Sequence, residues 1–124
     1  MIRLVLVDDQ PLVRQGLRRR LALEPDMAVV GEASNGREAT TLVEQLTPNV
    51  VVMDVEMPEM DGISATAMMR RITPQSAIVL LSIYDDLSTR ARAKLAGAAA
   101  FVRKTGEIEV LIATIRHATE QKKI

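Results

Sequence analysis

Two kinds of segment alternate along the chain. One is a short run that is apolar at every position: Leu4, Val5, Leu6 and Val7; Val50, Val51, Val52 and Met53; Ala77, Ile78, Val79, Leu80 and Leu81. Weaker runs occupy 28–30 and 98–102. A strand with one wet face alternates apolar and polar residues, so a run without polar positions predicts a strand covered on both faces, as in a parallel sheet. The run at 98–102 is alanine-rich and has the weakest β preference of the set. The other kind of segment has helical spacing. Ala39, Leu42, Val43 and Leu46 fall at i, i+3, i+4 and i+7, as do Ile108, Leu111, Ile112 and Ile115. Leu87, Ala91 and Leu95 repeat every fourth residue, and so do Val13, Leu17 and Leu21, behind a Pro11 suited to the first helical position. A shorter helix is predicted over 63–72. Asn35-Gly36, Thr47-Pro48, Asp61-Gly62, Thr73-Pro74 and Gly97 punctuate the boundaries.

The resulting order is βαβαβαβαβα with short loops. Right-handed crossovers then require a parallel five-stranded sheet between two helix layers, a doubly wound α/β fold with five helices on two faces. The 124 residues suit one domain spanning 1–124. The last helix is expected to run nearly to the end, through Gln121, Lys122, Lys123 and Ile124, with the chain stopping at a domain edge.

Composition narrows the function. Sixteen basic and sixteen acidic residues give a formal net charge of zero, which argues against a basic nucleic-acid binder in this piece. There is no cysteine, which excludes disulfides, thiol catalysis and cysteine metal sites, and the single histidine, His117, excludes any site needing two. Tyr84 and Phe101 are the only aromatic residues, too few for flavin or base stacking. No apolar run approaches about 18 residues, so no membrane span is expected. The apolar run after Arg3 stops at Asp8-Asp9, unlike a secretory signal. These features fit a cytoplasmic protein.

Ligands of open parallel sheets bind outside the carboxyl ends of the strands. The first strand is predicted to end at Asp8-Asp9, the third at Asp54 and the fourth at Ser82, while Arg103-Lys104 follows the fifth. Three carboxylates crowded together repel one another. Lys104 offsets one charge, and a divalent cation would bring the sum to zero. Oxygen ligands with room for water suit Mg²⁺ or Mn²⁺ rather than Zn²⁺. Such a metal fits phosphoryl chemistry, with a hydroxyl and an ammonium for further phosphoryl oxygens and a carboxylate as nucleophile. Taken singly, each residue has a bland reading: Asp8-Asp9 as a helix cap, Asp54 as a turn aspartate, Ser82 as a loop serine, Lys104 as a solvated cation. Their shared position at the same end of separate strands is what points to a site.

The pieces that carry this site, Val5 to Asp9, the run Asp54-Val55-Glu56-Met57-Pro58-Glu59-Met60-Asp61-Gly62, Leu80-Leu81-Ser82, and Gly97 through Lys104, resemble the receiver domain of two-component response regulators, the CheY-like superfamily, from end to end. Residues 27–39 and Ser82 followed by Tyr84-Asp85-Asp86 are similar to the NarL/FixJ subfamily. The resemblance implies strand order 2-1-3-4-5. It implies Asp54 as phosphoacceptor from a sensor histidine kinase, and Mg²⁺ held by Asp9, Asp8 largely through water, Asp54 and the backbone carbonyl of Glu56. Lys104 would pair with a phosphoryl oxygen, Ser82 would be the switch hydroxyl and Phe101 the switch aromatic. The implied output is transcription, through a C-terminal DNA-binding helix-turn-helix that these 124 residues do not contain. The resemblance implies autodephosphorylation and no substrate turnover. Thr105 stands where many receivers have proline, often with a cis bond; a cis non-proline bond is costly, so none is assumed after Lys104 and the isomer is left open. Glu56 and Tyr84, each two residues beyond a site residue, are expected over the mouth of the site, where Tyr84 would slow hydrolysis of the phosphoryl group. An apolar, arginine-bearing last helix (Ile108, Leu111, Ile112, Ile115, Arg116) suggests homodimers on phosphorylation. Arg14, Arg18, Arg19 and Arg20 form a solvated face or a kinase-docking one.

Competing readings are a stand-alone signalling receiver without DNA-binding output, a flavodoxin-like ligand-binding module, an aspartyl-phosphate phosphohydrolase and a degenerate scaffold receiver. A flavodoxin needs a phosphate-cradling loop after the first strand, where this chain has Asp8-Asp9-Gln10-Pro11. A haloacid-dehalogenase-type phosphohydrolase places its nucleophile after the first strand, with a second aspartate two residues on; here the nucleophile follows the third strand and position 56 is glutamate. The intact acidic site argues against a degenerate receiver.

Overall fold

The three continuous apolar runs form the middle of the sheet. The computed structural model describes residues 1–121, with elements β1 (Ile2–Val7), α1 (Pro11–Leu21), β2 (Met27–Ala33), α2 (Gly36–Leu46), β3 (Val50–Asp54), α3 (Gly62–Ile72), β4 (Ala77–Ser82), α4 (Leu87–Ala96), β5 (Ala100–Arg103) and α5 (Ile108–Gln121). The strands are parallel in the order β2-β1-β3-β4-β5. Every residue of β3 and β4 and the last four of β1 are buried, because helices cover both faces there. β2 and β5, the weaker runs, are the edges and keep partly exposed positions. Run continuity in the sequence therefore reports position in the sheet.

Alternate side chains of the central strands feed two cores. Leu4, Leu6, Val50, Val52, Val79 and Leu81 pack with Leu21 of α1 and Leu111, Ile112 and Ile115 of α5. Val5, Val7, Val51, Met53, Ile78 and Leu80 pack with Ala39 and Val43 of α2, Ile63 and Met69 of α3, and Ala93 of α4. Each buried Val, Leu, Ile or Met side chain among them contributes about 1.5–3 kcal/mol. Two of the punctuating residues act as helix N-caps: Asn35 accepts from Glu38 N–H at 2.9 Å and Asp61 from Ser64 N–H at 2.8 Å. Gly97 closes α4 at φ 101°, a conformation that favours glycine.

Helix α4 forms where its spacing predicts, but its apolar stripe faces away from the core. Leu87 is 87% and Leu95 89% exposed, and Ala91 is exposed too. The packed side holds Ala93 and Ala96. Over a four-residue edge strand, small side chains bring the helix close enough to pack. The last helix shows the reverse. Leu111, Ile112 and Ile115 are buried in the core, Ile108 packs against it, and Arg116 is engaged within the chain. The residues expected to form a homodimer face are thus used inside the domain. The expected continuation over 122–124 lies outside the described residues.

The acidic pair does not cap α1. The N-cap is Gln10, without a side-chain cap bond. Asp8 Oδ1 instead accepts from Gln10 N–H at 2.9 Å.

Candidate functional site

Strand register explains how residues 46 positions apart become neighbours. Val7 pairs with Met53 across β1 and β3, so Asp8 and Asp54, the next residues, leave the sheet side by side. Leu81 lies opposite Asp54 and Arg103 opposite Ser82, which brings Ser82 and Lys104 to the same rim. Carboxylate oxygens of Asp8, Asp9 and Asp54 lie within 4.8 Å of one another. Lys104 Nζ bridges two of these groups, 2.8 Å from Asp54 Oδ2 and 3.0 Å from Asp8 Oδ2. Asp8 and Asp54 are buried and Asp9 is exposed.

The loop after β3 is shaped to this cluster. Gly62 donates to Val55 C=O at 2.9 Å, folding the 55–61 segment back on the strand end. A Cβ on Gly62 would lie 2.2 Å from the Asp54 carbonyl oxygen, so any side chain there would push Asp54 out of place. This accounts physically for glycine at the close of the acidic motif.

Burial raises the Asp54 pKa to about 6, with the Asp8 and Glu56 charges adding to the rise and Lys104 opposing it. Burial alone would lower the Lys104 ammonium, but Asp54 and Asp8 outweigh it and raise that group. Asp54 Oδ1 is buried without a hydrogen-bond partner. An oxygen-only donor set holding more negative charge than one lysine balances, with an orphaned carboxylate oxygen in it, fits a hard divalent cation.

The remaining expected residues divide. Ser82 is fully buried at the rim, but its hydroxyl donates to Glu56 Oε2 at 2.8 Å and accepts from Tyr84 N–H at 3.0 Å. Glu56 is therefore turned onto Ser82 rather than held free over the site mouth, because this hydroxyl is a near donor for its carboxylate. Tyr84 is 59% exposed. Phe101 is half-buried, with the Arg90 guanidinium 4.8 Å from its ring centroid. Arg90 also bonds Asp85, which pairs with Arg103 at 3.4 Å. Peptide bonds among the described residues are all trans, including the one before Thr105. His117 is exposed on α5.

Two features were not visible in the sequence. The α1 arginines are more than a solvated face: Arg14 and Arg18 pair with Glu32 of β2 at 3.0 and 3.1 Å, and Arg14 also donates to the Asp8 carbonyl, bracing the acidic strand end. The Glu56–Ser82 bond spans 26 positions and depends on rotamers that no periodicity encodes.

A family profile for the response regulator receiver domain matches residues 4–116. The transcriptional regulatory protein LiaR of Bacillus subtilis is 40% identical over 97% of this chain and 57% of its own length. A protein-glutamate methylesterase/protein-glutamine glutaminase of Methanospirillum hungatei is 40% identical over 84% of this chain and 30% of its own length. Among solved structures, the signal receiver domain of NarL from Mycobacterium tuberculosis has a TM-score of 0.88 at 35% identity, covering 94% of this chain and 95% of that one. The chain belongs to the response regulator receiver domain family of two-component signalling, on the NarL/LuxR side, and phosphorylation on aspartate is that family's role. It spans about half the length of the first curated transcriptional relatives it matches, 49% and 57%.

Proposed function

We propose that Asp54 is the phosphoacceptor and that this chain relays a phosphoryl group from a sensor histidine kinase to a surface change controlling transcription. The observation that carries the reading is the buried carboxylate at the end of β3, with one oxygen held by Lys104 and the other unpartnered. The free carboxylate oxygen attacks phosphorus; a P–O bond forms as the P–N bond to the donor histidine breaks. Lys104 then turns from the carboxylate to an equatorial phosphoryl oxygen and offsets its charge. Asp8, Asp9, Asp54 and the Glu56 backbone carbonyl would hold Mg²⁺, or Mn²⁺ in its place, which when bound neutralises charge on the transferring group. Water returns the aspartate by hydrolysis, and turnover of an external substrate forms no part of this reading.

The output is proposed to lie in a DNA-binding partner domain, as the transcriptional relatives suggest, and the setting to be cytoplasmic; among the described residues no helix is long and apolar enough to cross a membrane. The methylesterase relative supports treating the receiver as a module whose output varies with what it is joined to. Homodimerisation on phosphorylation stays a proposal, and it now needs a surface other than the buried stripe of α5.

The test is incubation with acetyl phosphate and Mg²⁺ followed by intact-mass measurement. Wild type is expected to gain one phosphoryl group, while Asp54→Asn and Asp9→Ala, or wild type in excess EDTA, gain none. A mass gain that survives Asp54→Asn overturns the assignment.

A further inference from the structure

We propose that the Glu56 side chain is a latch on Ser82, a positioning residue whose hydrogen bond has to be surrendered before the hydroxyl can serve a group on Asp54. This rests on the reading of Asp54 as phosphoacceptor. A serine hydroxyl has one proton to donate. In this chain that proton goes to Glu56 Oε2 at 2.8 Å, and the oxygen is in turn the acceptor for Tyr84 N–H at 3.0 Å. Ser82 is fully buried, so water does not supply a replacement for either bond while the residue stays in place.

The latch is poised rather than fixed. The second Glu56 oxygen, Oε1, is buried with no hydrogen-bond partner, so the carboxylate keeps this position with half of its acceptor capacity unused. A phosphoryl group on Asp54 offers three acceptor oxygens and more negative charge than a carboxylate. It competes with Glu56 for the same proton. When Ser82 turns to it, Glu56 is released, and the Tyr84 N–H loses its acceptor at the same moment. The exchange of one acceptor for another is thereby coupled to the backbone that leads from β4 into α4. Glu56 acts through Ser82, and its touch on the reacting group is not required.

Removing the latch favours the conformation that binds a phosphoryl group. Losing a hydrogen bond to a charged acceptor, partly offset by rehydration of the carboxylate, corresponds to about a five- to tenfold gain in apparent affinity for the phosphoryl mimic beryllofluoride. Glu56→Ala also removes a negative charge near an anion site, which would tighten binding without any latch. Three variants separate these causes. Glu56→Gln removes the charge but keeps an acceptor for the Ser82 hydroxyl. Ser82→Ala removes the latched group, and the double variant Glu56→Ala with Ser82→Ala closes the cycle.

The experiment is NMR of the isotopically labelled chain, first free and then titrated with beryllofluoride in Mg²⁺. Glu56→Ala is expected to shift the Tyr84 amide signal before any anion is added, while Glu56→Gln leaves it near wild type. The affinity gain from Glu56→Ala is expected to be larger with Ser82 present than in the Ser82→Ala background, where only the effect of the removed charge is left. An equal gain in both backgrounds, or an unmoved Tyr84 amide in Glu56→Ala, overturns the latch. Asp54→Asn keeps the two readings distinguishable: beryllofluoride binding that persists in it defeats the phosphoacceptor reading, whereas the Tyr84 signal of the free protein judges the latch alone.

Discussion

Charge is arranged in opposite ways at the two ends of the sheet. At the carboxyl ends, Asp8 and Asp54 are buried against a single lysine, with exposed Asp9 alongside, and burial holds Asp54 up at about 6. At the amino ends, Arg116 of α5 bonds Glu24 at 2.7 Å and Asp26 at 2.9 Å, and Arg20 bonds Glu24 at 2.7 Å. There two cations meet two anions, near solvent. The arginine hydrogen bonds hold both Glu24 and Asp26 below the usual carboxylate range. The amino-end cluster staples α5 to the loop before β2 and is electrically complete. The carboxyl-end cluster is incomplete by design of its charges: it costs stability in exchange for a place where a cation and an anion can bind.

The largest expected break in that contrast comes from Lys104→Met. It leaves buried carboxylates without their cation, and unfolding stability in urea at about pH 8 should fall by about 3 kcal/mol. The loss should shrink near pH 5, where Asp54 protonates instead, and added Mg²⁺ should restore part of it.

Asp54→Asn should act in the other direction. A folded pKa of about 6 lies above the ordinary 3.8, so the folded state keeps a proton that the unfolded chain gives up, and stability falls as pH rises through that window. Removing the carboxylate should therefore stabilise the fold by about 2 kcal/mol at pH 8, with the gain vanishing below about pH 4. Urea titrations of both proteins across this range check the sign.

Arg116→Ala should be weaker than either change. Its partners have depressed pKa values, so their contribution is present above the ordinary carboxylate range and is lost as pH falls through the depressed values. Thermal unfolding should show a modest loss at neutral pH that fades in acid and in molar salt. The smallest effect concerns lifetime. If the exposed Tyr84 ring shields the site, Tyr84→Ala should lose its phosphoryl group a few-fold faster than wild type in a decay assay; an equal or slower rate refutes shielding.

Much of this arrangement is legible in the sequence because it rests on backbone regularity. Continuous apolar runs identify β1, β3 and β4 as central strands, and the residue after such a run must stand at the carboxyl rim. That logic brings Asp8, Asp54 and Ser82 together, and Lys104 joins them two residues beyond the weaker run of β5. What escapes it depends on which way a side chain turns. The four-residue repeat of Leu87, Ala91 and Leu95 identifies a helix but not its packed face, which Ala93 decides because small side chains let α4 settle on a short edge strand. The repeat in α5 reads as a surface for a partner, yet the central strands claim it first. Likewise the sequence places Glu56 over the mouth of the site but not on its partner, Ser82, which belongs to the next strand.

The position of Tyr84 gives the molecule a built-in optical reporter. The chain has one tyrosine and no tryptophan. Tyrosine emission therefore arises from a single ring, on the loop between β4 and α4, with its own amide hydrogen-bonded to Ser82. Polarisation and quenching of that emission follow this one loop in unlabelled native protein, and a metal or a small non-aromatic phosphodonor can be added without any dye to perturb the rim.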